Sequence, residues 1–369
     1  MYTNPNNHEE LTNILSAQEL KKKDVFCLYI AEKNSINLDL LFKDLNERNI
    51  PFMGGVFPAV INEDKKYEEG IVISILENVD SIHLVEGLDS SNIEIPDFNL
   101  DGGKKYCALT YVDGLSQNIA LFLSNLYDTY GSKISYLGGG AGSLSFVQKP
   151  CVFSNEGFFE GAALITLIET STALGVSHGW DRVKGPLVVT KSNKNVIEEI
   201  NWQPAFAVYK DLVEEDSGQE IRMDNFFDIS KGYPFGMHKD YAEQVVRDPI
   251  AVNEGNALIC VGEVPENTVM DLLRGDNNHL ILAAEKATQE CCNYDLKQYN
   301  NCIIVDCISR AIFMEDEFEK ELQMVGASLK NKFTNVKISG ALTLGEISSY
   351  GNGYLEFFNK TIVVGLLYE

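Results

Sequence analysis

Apolar and polar positions along the chain follow one order that recurs three times. Each recurrence opens with a run of β-branched and aromatic residues, which predicts a buried strand. The three runs are VFCLYIAE at 25–32, KYCALTYVDG at 105–114 and NCIIVDCISR at 301–310. A helical pattern follows each run, with apolar residues spaced three and four apart, so each helix has one face to bury.

The rest of each unit is also predicted by pattern. A second strand runs into glycines in PFMGGVFPAV, KISYLGGGAGSL and VKISGALTLGEI, and a further strand closes each unit at 70–76, 161–169 and 359–367. Supersecondary units that repeat at irregular spacing indicate internal duplication and exclude a solenoid. The segment 256–275 is interpreted as a less complete fourth copy, with a strand followed by a helix.

A different region lies between the second and third units. Two short strands flank the polar SNKN turn at 192–195, and Pro204 is expected to begin a helix. We therefore predict an α+β fold with two related halves, built from strand-helix-strand-strand repeats whose mixed sheets are covered by helices. The expected domains are residues 1–190 and 191–369.

Charge narrows the classes of partner. The chain of 369 residues has 54 acidic and 30 basic side chains, a formal net charge of −24. This charge repels phosphate backbones and anionic lipid, so nucleic acid and membrane surfaces are not expected partners. The amino-terminal segment is polar, and the apolar runs are too short to span a bilayer, which favours a cytoplasmic protein. The cysteines lie in strand-like runs, so disulfides are not expected.

The glycine run at 138–140 invites comparison with phosphate-binding loops. However, Gly142 is followed by Ser143 and Leu144, not by the Lys and Ser or Thr of a P-loop, and no helical pattern follows. Gly139 and Gly140 are therefore expected to pack against backbone or to border a ligand cavity, since a residue without Cβ permits close approach.

Charged residues in apolar segments are the candidate ligand-binding groups. Arg247 offers a planar fork for a carboxylate and Asp248 an acceptor for an ammonium, the two charges of an amino acid; the alternative is that they pair internally before Pro249. Cys307 is either a thiolate activated by Arg310 or a buried thiol, with Arg310 a ligand anchor or a structural ion pair.

Glu346 follows Gly345 in the third glycine-rich segment. A carboxylate inside an apolar strand requires a partner if it is buried, and we expect that partner to be Arg310 or Arg247. Gly345 and Glu346 complete the predicted ligand-binding set.

An ordered set of segments resembles the FIST family, named for F-box and intracellular signal transduction proteins. The segments are LGGGAGS at 137–143, VFSNEG at 152–157, residues 178–209, YPFGM at 233–237, residues 245–270, CISR at 307–310 and GALTLGEISS at 340–349. The resemblance implies a sensory module that binds a small ligand such as an amino acid. Since the FIST regions use almost all of the chain, it also implies a separate output partner, such as a histidine kinase or a cyclic-dinucleotide enzyme.

Some members of the resembled family bind haem and respond to nitric oxide, so a haem-binding gas sensor is the alternative function. Its candidate axial ligands are His178 and His238, although no haem or metal motif is present. A thiol-dependent enzyme based on Cys307 is a third hypothesis. The leading expectation is a non-enzymatic protein without a cofactor.

Overall fold

The computed structural model describes residues 1–239, 243–292, 299–333, 336–350 and 354–368, without the side chains of residues 299, 300 and 350. The strands of the first two units are β1 (Tyr2–Thr3), β2 (Val25–Ala31), β3 (Phe52–Phe57), β4 (Ala59–Asn62), β5 (Lys65–Tyr67), β6 (Ile71–Leu76), β7 (Val79–Val85), β8 (Tyr106–Asp113), β9 (Ser135–Ala141), β10 (Val152–Ser154), β11 (Gly157–Phe159), β12 (Ala163–Glu169) and β13 (Ser171–Ser177).

The remaining strands belong to the central region and the third unit. The central strands are β14 (Asp181–Asn193), β15 (Val196–Ile200), β16 (Gln203–Pro204), β17 (Phe235–Met237), β18 (Val245–Val252), β19 (Leu258–Val261) and β20 (Val269–Arg274). The last five are β21 (Tyr299–Cys307), β22 (Ile338–Thr343), β23 (Glu346–Tyr350), β24 (Tyr354–Phe358) and β25 (Ile362–Tyr368).

Helices connect the strands of each unit. They are α1 (His8–Ser16), α2 (Leu38–Glu47), α3 (Ile119–Tyr130), α4 (Ala205–Ser217), α5 (Phe226–Ser230), α6 (Asn277–Cys292), α7 (Ile308–Met314) and α8 (Phe318–Lys332), with short 3-10 turns at Gly131–Lys133 and Glu315–Glu317. Within the described part of the chain, no helix is both long enough and apolar enough to cross a membrane.

Three six-stranded sheets share one strand order, which confirms the three repeated units. The orders are β1-β6-β2-β3-β10-β11, β7-β12-β8-β9-β23-β24 and β13-β25-β21-β22-β4-β5. In each sheet a parallel pair is connected through helix, namely β2 with β3, β8 with β9 and β21 with β22. The strand that closes the unit then pairs antiparallel with the first strand.

The units also exchange strands in a cycle. The hairpin that follows each glycine-rich strand joins the sheet of another unit: β4 pairs with β22, β10 pairs with β3, and β23 pairs with β9. Each unit thereby completes the sheet of a neighbour, and the three units close on one another. The mixed sheets predicted from the sequence arise from this arrangement.

Three glycines of these parallel pairs occupy the same position. A Cβ on Gly54 would lie 2.0 Å from the carbonyl oxygen of Leu28, one on Gly138 would lie 1.7 Å from that of Thr110, and one on Gly340 would lie 1.8 Å from that of Ile304. Each glycine is paired in register with the residue whose carbonyl it approaches. The repeated glycine signal thus marks close packing of backbones.

Helices cover the outer faces of the sheets, and the inner faces share a core. Leu11, Leu41 and Phe26 belong to the outer cluster of the first sheet. In the shared core the hydroxyl oxygens of Tyr111 and Tyr29 lie 3.0 Å apart in a hydrogen bond, which joins the first two units. Residues of the central region extend the same core.

The central region forms a closed barrel in the order β14-β20-β17-β18-β19-β15, with β15 pairing back to β14. The prediction of a helix in the second part of 256–275 was wrong, because these residues form β19 and β20. The backbone of β20 is paired on both sides, with β14 and β17, and these neighbours satisfy its hydrogen bonds as a strand.

Candidate functional site

A cavity of about 420 Å³ lies where two parallel strand pairs end against the barrel. The loops after β8 and β9 form one wall, the residues after β21 and β22 form the floor, and β18 and β19 form the other wall. The volume is within the range of small-molecule sites, which form preferentially outside the carboxyl ends of parallel strands. Three of the eight residues selected from sequence line this ligand-sized space, namely Asp248, Cys307 and Gly345.

The lining of the cavity is mostly apolar. Its apolar side chains include Leu115, Leu144, Phe146, Phe227, Ile250 and Ile312. Phe146 and Phe227 are also exposed to solvent, so the cavity has an accessible aromatic mouth. Its polar side chains are Asp248, Cys307, Ser309 and Asn359. An apolar space with a few polar groups suits an organic molecule that carries a polar head group.

Asp248 is the carboxylate at the cavity wall, and it is almost completely buried. Its Oδ2 lies 3.1 Å from Nζ of Lys360, while Oδ1 has no hydrogen-bond partner among the described residues. Burial raises the pKa of Asp248, and Lys360 and the Ser309 hydroxyl oppose that rise. One acceptor of this carboxylate is thus left over for another donor.

Lys360 is fully buried, and its ammonium group contacts other groups besides the Asp248 carboxylate. Its Nζ donates to the carbonyl oxygen of Lys231 at 2.9 Å and lies 4.7 Å from the centre of the Trp180 ring. The Trp180 indole N–H donates in turn to the Lys360 carbonyl oxygen at 2.9 Å. The Lys360 ammonium therefore connects the cavity wall to a buried tryptophan.

Arg247 precedes Asp248 on β18 but does not line the cavity. It donates to the carbonyl oxygens of Glu263, Val246 and Phe357 and to Oδ1 of Asn359, at 2.9 to 3.2 Å. Burial lowers the pKa of Arg247 to about 10, so it remains a cation at neutral pH. Arg247 occupies one of the two acceptor sites of Asn359 Oδ1, and the NH2 group of that amide is its donor.

Arg310 lies behind the cavity floor and is fully buried. It binds Glu321 through two hydrogen bonds, of 2.6 Å from Nη2 and 3.1 Å from Nε, and its Nε lies 3.3 Å from Asp306 Oδ1. It also donates to the carbonyl oxygens of Leu280, Lys360 and His178. Of the two roles considered for Arg310, this geometry is that of a structural ion pair.

Glu346 is also fully buried, and its carboxylate does not form the expected ion pair with Arg310 or Arg247 among the described residues. It accepts from the Thr343 hydroxyl and from the Thr361 backbone N–H, both at 3.2 Å. Arg310 faces Glu321, which leaves Glu346 with neutral donors. Burial raises the pKa of Glu346 to about 8.

Cys307 ends β21 and directly precedes α7 at the cavity floor. Burial raises the pKa of its thiol well above the ordinary value, and the neighbouring Glu346 carboxylate raises it further. A thiol in this environment stays protonated at neutral pH, in contrast to the activated thiolates of catalytic cysteines. The geometry agrees with the buried-thiol interpretation of Cys307.

The three glycines of the predicted set surround the same turn. Gly345 lines the cavity with a φ of 111°, which favours glycine. A Cβ on Gly139 would lie 2.9 Å from the Gly345 carbonyl oxygen, and one on Gly140 would lie 2.8 Å from the Leu344 carbonyl oxygen. The glycine run thus lies directly behind the cavity-lining turn that precedes Glu346.

The two histidines proposed for haem do not line the cavity. Nδ1 of His178 accepts from the Trp180 backbone N–H at 2.9 Å, and its Nε2 lies 3.7 Å from Glu243. Burial lowers the pKa of His178 to about 4. Nε2 of His238 lies 2.8 Å from Asp271. With ring nitrogens engaged in this way, these residues do not fit a haem, and the described residues contain no group of three or more metal-ligating side chains.

Three polar residues of the site were missed from sequence: Ser309, Asn359 and Lys360. Asn359 and Lys360 stand in FFNKT before the last strand, a polar pair that is typical of an exposed turn. Lys360 does adopt a positive φ of 53°, but it is fully buried. The only indication of this burial in the sequence was the apolar run on each side of Asn359 and Lys360.

Comparison with protein families assigns nearly the whole chain. Residues 24–203 match the FIST N domain and residues 205–349 match the FIST C domain. The chain belongs to the FIST family. FIST domains are sensory domains of signal-transduction proteins, and this confirms the resemblance seen in the sequence. A comparison with curated proteins finds no match.

The two FIST matches are interleaved in space. Strands β4 and β5 of the FIST N match lie in the sheet of β21 and β22, while β23 of the FIST C match pairs with β9. The cavity likewise has walls from both matches, with Leu115 and Phe146 on one side and Asp248 and Cys307 on the other. A molecule in the cavity of this FIST protein would therefore touch both regions.

Proposed function

We propose that this FIST protein is a non-enzymatic sensory protein that binds a small, mostly apolar molecule in the cavity at Asp248. The observation that carries the proposal is the shared lining of the cavity. Loops of the FIST N match and strand ends of the FIST C match enclose one ligand-sized space, next to an exposed aromatic mouth. The family match supports a sensory function, and the cavity is the proposed binding site.

The signal would arise from the relative positions of the two walls. A ligand shifts a conformational equilibrium only when it binds one arrangement better than another. A molecule that contacts Leu115 on the FIST N side and Ile312 on the FIST C side favours the arrangement in which both walls are close. A separate partner, such as a histidine kinase or a cyclic-dinucleotide enzyme, would recognise that arrangement.

An amino acid is one ligand that the sequence suggested for this site. Its ammonium would reach Asp248, while its carboxylate would depend on neutral donors such as the Asn359 amide and the Ser309 hydroxyl. The two arginines once expected to bind the carboxylate lie behind the wall. The cavity therefore supports amino acids less well than molecules without a carboxylate.

The proposal is tested by ligand screening with a variant whose cavity is filled. Small molecules are screened by thermal shift against the wild type and against Ile312→Trp, which places a larger side chain on the α7 wall of the cavity. Leu282→Trp, at an exposed position of α6, is the matched control. A ligand present at about 100 times its Kd stabilises the folded state by about 2.7 kcal/mol, which is readily measured.

We expect at least one molecule to raise the melting temperature of the wild type and of Leu282→Trp but not that of Ile312→Trp. Native mass spectrometry of the same samples would detect a molecule retained through purification. Ligands that stabilise Ile312→Trp as strongly as the wild type would show that binding occurs elsewhere and would overturn the proposal. So would a screen in which no molecule stabilises the wild type.

A further inference from the structure

The polar groups at the cavity restrict the head group of its ligand. Asp248 lines the cavity, and the Ser309 hydroxyl and Lys360 both favour its ionised form. Its Oδ1 is buried and has no hydrogen-bond partner among the described residues, and this atom can only accept while the group is ionised. A buried acceptor left unpaired carries a free-energy penalty, which a donor from the ligand would remove. The ligand is thus expected to bring an N–H or O–H group to Asp248.

The buried cations near the cavity are already engaged. Lys360 lies 3.1 Å from Asp248 and donates to the Lys231 carbonyl, and Arg310 forms its bidentate pair with Glu321. Arg247 donates to three carbonyl oxygens and to Asn359. Among the described residues that line the cavity, none is Lys or Arg. An anionic head group of a ligand would therefore meet no cationic side chain at the described lining of the cavity.

We propose that the ligand is a protonated amine with an apolar or aromatic body, whose ammonium group donates a hydrogen bond to Asp248. This inference rests on the proposed function, because it names the chemical class of molecule that the same cavity binds. The ammonium completes the pairing of the Asp248 carboxylate through a charge-assisted hydrogen bond. The body packs against the apolar wall that includes Leu115, Phe227 and Ile312.

Head-group specificity is tested with molecules that share one body. 2-Phenylethylamine, 2-phenylethanol, 3-phenylpropionate and phenylalanine are titrated into the wild type by isothermal calorimetry at neutral pH. A panel of other alkyl and aryl amines, each paired with its alcohol, covers alternative bodies. Alkylamines are protonated at this pH, as Lys is.

We expect the amine of a matched set to bind about tenfold or more tightly than its alcohol, because only the amine forms the charge-assisted bond. The carboxylate should bind weakest, and the amino acid should bind less tightly than the amine. An alcohol or a carboxylate that binds as tightly as its matched amine would overturn the inference. So would the absence of binding by every amine in the panel.

The role of Asp248 is tested with Asp248→Asn, which keeps the shape of the side chain and removes its charge. This substitution should weaken amine binding by about tenfold or more and change alcohol binding much less. Asp316→Asn, at an exposed position, is the matched control and should leave the Kd of the amine unchanged. Equal weakening of amine and alcohol by Asp248→Asn would contradict the proposed contact.

A fluorescence measurement does not depend on the folding of Asp248→Asn. The chain has two tryptophans, and Trp202 is highly exposed, so Trp202→Phe leaves Trp180 as the single reporter. Because Lys360 contacts both Asp248 and the Trp180 ring, amine binding should change the emission of Trp180 and alcohol binding should change it less. An amine that binds without any change in emission would count against the Asp248 contact.

Failure of this inference and failure of the proposed function have different signatures. If no amine binds but another molecule stabilises the wild type and not Ile312→Trp, the cavity is a ligand site and only the amine assignment is wrong. If the cavity-filling variant responds to every ligand as the wild type does, the site itself is wrong.

Discussion

Nζ of Lys360 lies 3.1 Å from Oδ2 of Asp248, and both side chains are buried at the wall of the cavity. The two residues come from strands far apart in the sequence, since Asp248 is on β18 of the barrel and Lys360 precedes β25. Their contact fixes the barrel against the third sheet. Asp248 is the only carboxylate among the described residues that line the cavity. Its Oδ2 has Lys360 as a partner, whereas its Oδ1 has no hydrogen-bond partner among the described residues.

Replacing Lys360 with Met should strongly destabilise the protein, because it leaves the Asp248 carboxylate buried without its cation. Loss of one partner of a buried pair costs about 3 to 5 kcal/mol, whereas replacement of both partners by apolar residues is often close to neutral. The double variant Lys360→Met/Asp248→Leu should therefore recover much of the loss. Thermal and urea unfolding of the variants measure this coupling.

The matched control for Lys360 is an exposed pair. Lys104 lies 2.7 Å from Glu169 at the surface, and Lys104→Met should lower stability much less than Lys360→Met does. Similar losses of stability for Lys360→Met and Lys104→Met would show that removal of the buried ammonium group is no more costly than removal of an exposed one.

Glu346 should make stability depend on pH between its unfolded and folded pKa values. Burial raises its pKa from 4.5 to about 8, so the folded state favours the protonated form. The stabilisation is fully present below about pH 4.5 and is lost as the pH rises through about 8. Glu346→Gln should remove this loss, and its stability relative to the wild type should increase over that range.

The measurement is the difference in melting temperature between Glu346→Gln and the wild type at a series of pH values. Glu86→Gln, at an exposed position, is the matched control. Parallel pH profiles for wild type and Glu346→Gln would mean that Glu346 does not titrate with a raised pKa. The sequence analysis placed Glu346 in the predicted ligand-binding set, and Glu346→Gln is therefore expected to weaken binding when the same samples are titrated with a ligand.

Gly138 should tolerate no side chain. An Ala Cβ would lie 1.7 Å from the Thr110 carbonyl oxygen, within the parallel pair β8–β9, so backbone would have to move. We expect Gly138→Ala to lower stability by about 1 to 3 kcal/mol or more. Gly102→Ala, with nothing within 4 Å of its Cβ, is the control, measured by thermal unfolding.

The thiols should be slow to react in the folded protein. All eight cysteines are free and buried, and burial raises the pKa of the Cys307 thiol in particular. Ellman's reagent at pH 8 should show no fast stoichiometric phase, and all eight thiols should react after denaturation. A fast phase that disappears in Cys307→Ser would instead support the activated thiolate of a thiol-dependent enzyme.

Part of the cavity was predictable from residue type and position. Asp248 was chosen as an acceptor for an ammonium, Cys307 as a thiol beside Arg310, and Gly345 as the residue before Glu346; all three line the cavity. Arg247 and Arg310 were chosen for their charge, yet they point to internal acceptors. Sequence pattern gives the distance of a residue from its strand end but not the partner that its side chain meets.

Lys360 and Asn359 show the same limit, because they belong to the site but were not selected from the sequence. A polar pair before a strand is usually an exposed turn, and nothing local distinguishes the buried case. Here the turn contacts Asp248, Arg247 and Trp180, each more than 100 residues away in the chain. Contacts of that sequence separation decide burial, and a single sequence does not reveal them.

The sequence by itself determined the three strand-helix-strand units and their glycine-rich strands, because hydrophobic spacing and the absence of Cβ act locally. Tertiary structure alone decided that each unit completes a neighbour's sheet, that residues 256–275 join a barrel, and that Asp248 pairs with Lys360. Strand pairing and ion pairing depend on which surfaces meet in space, and a local pattern is compatible with many such partners.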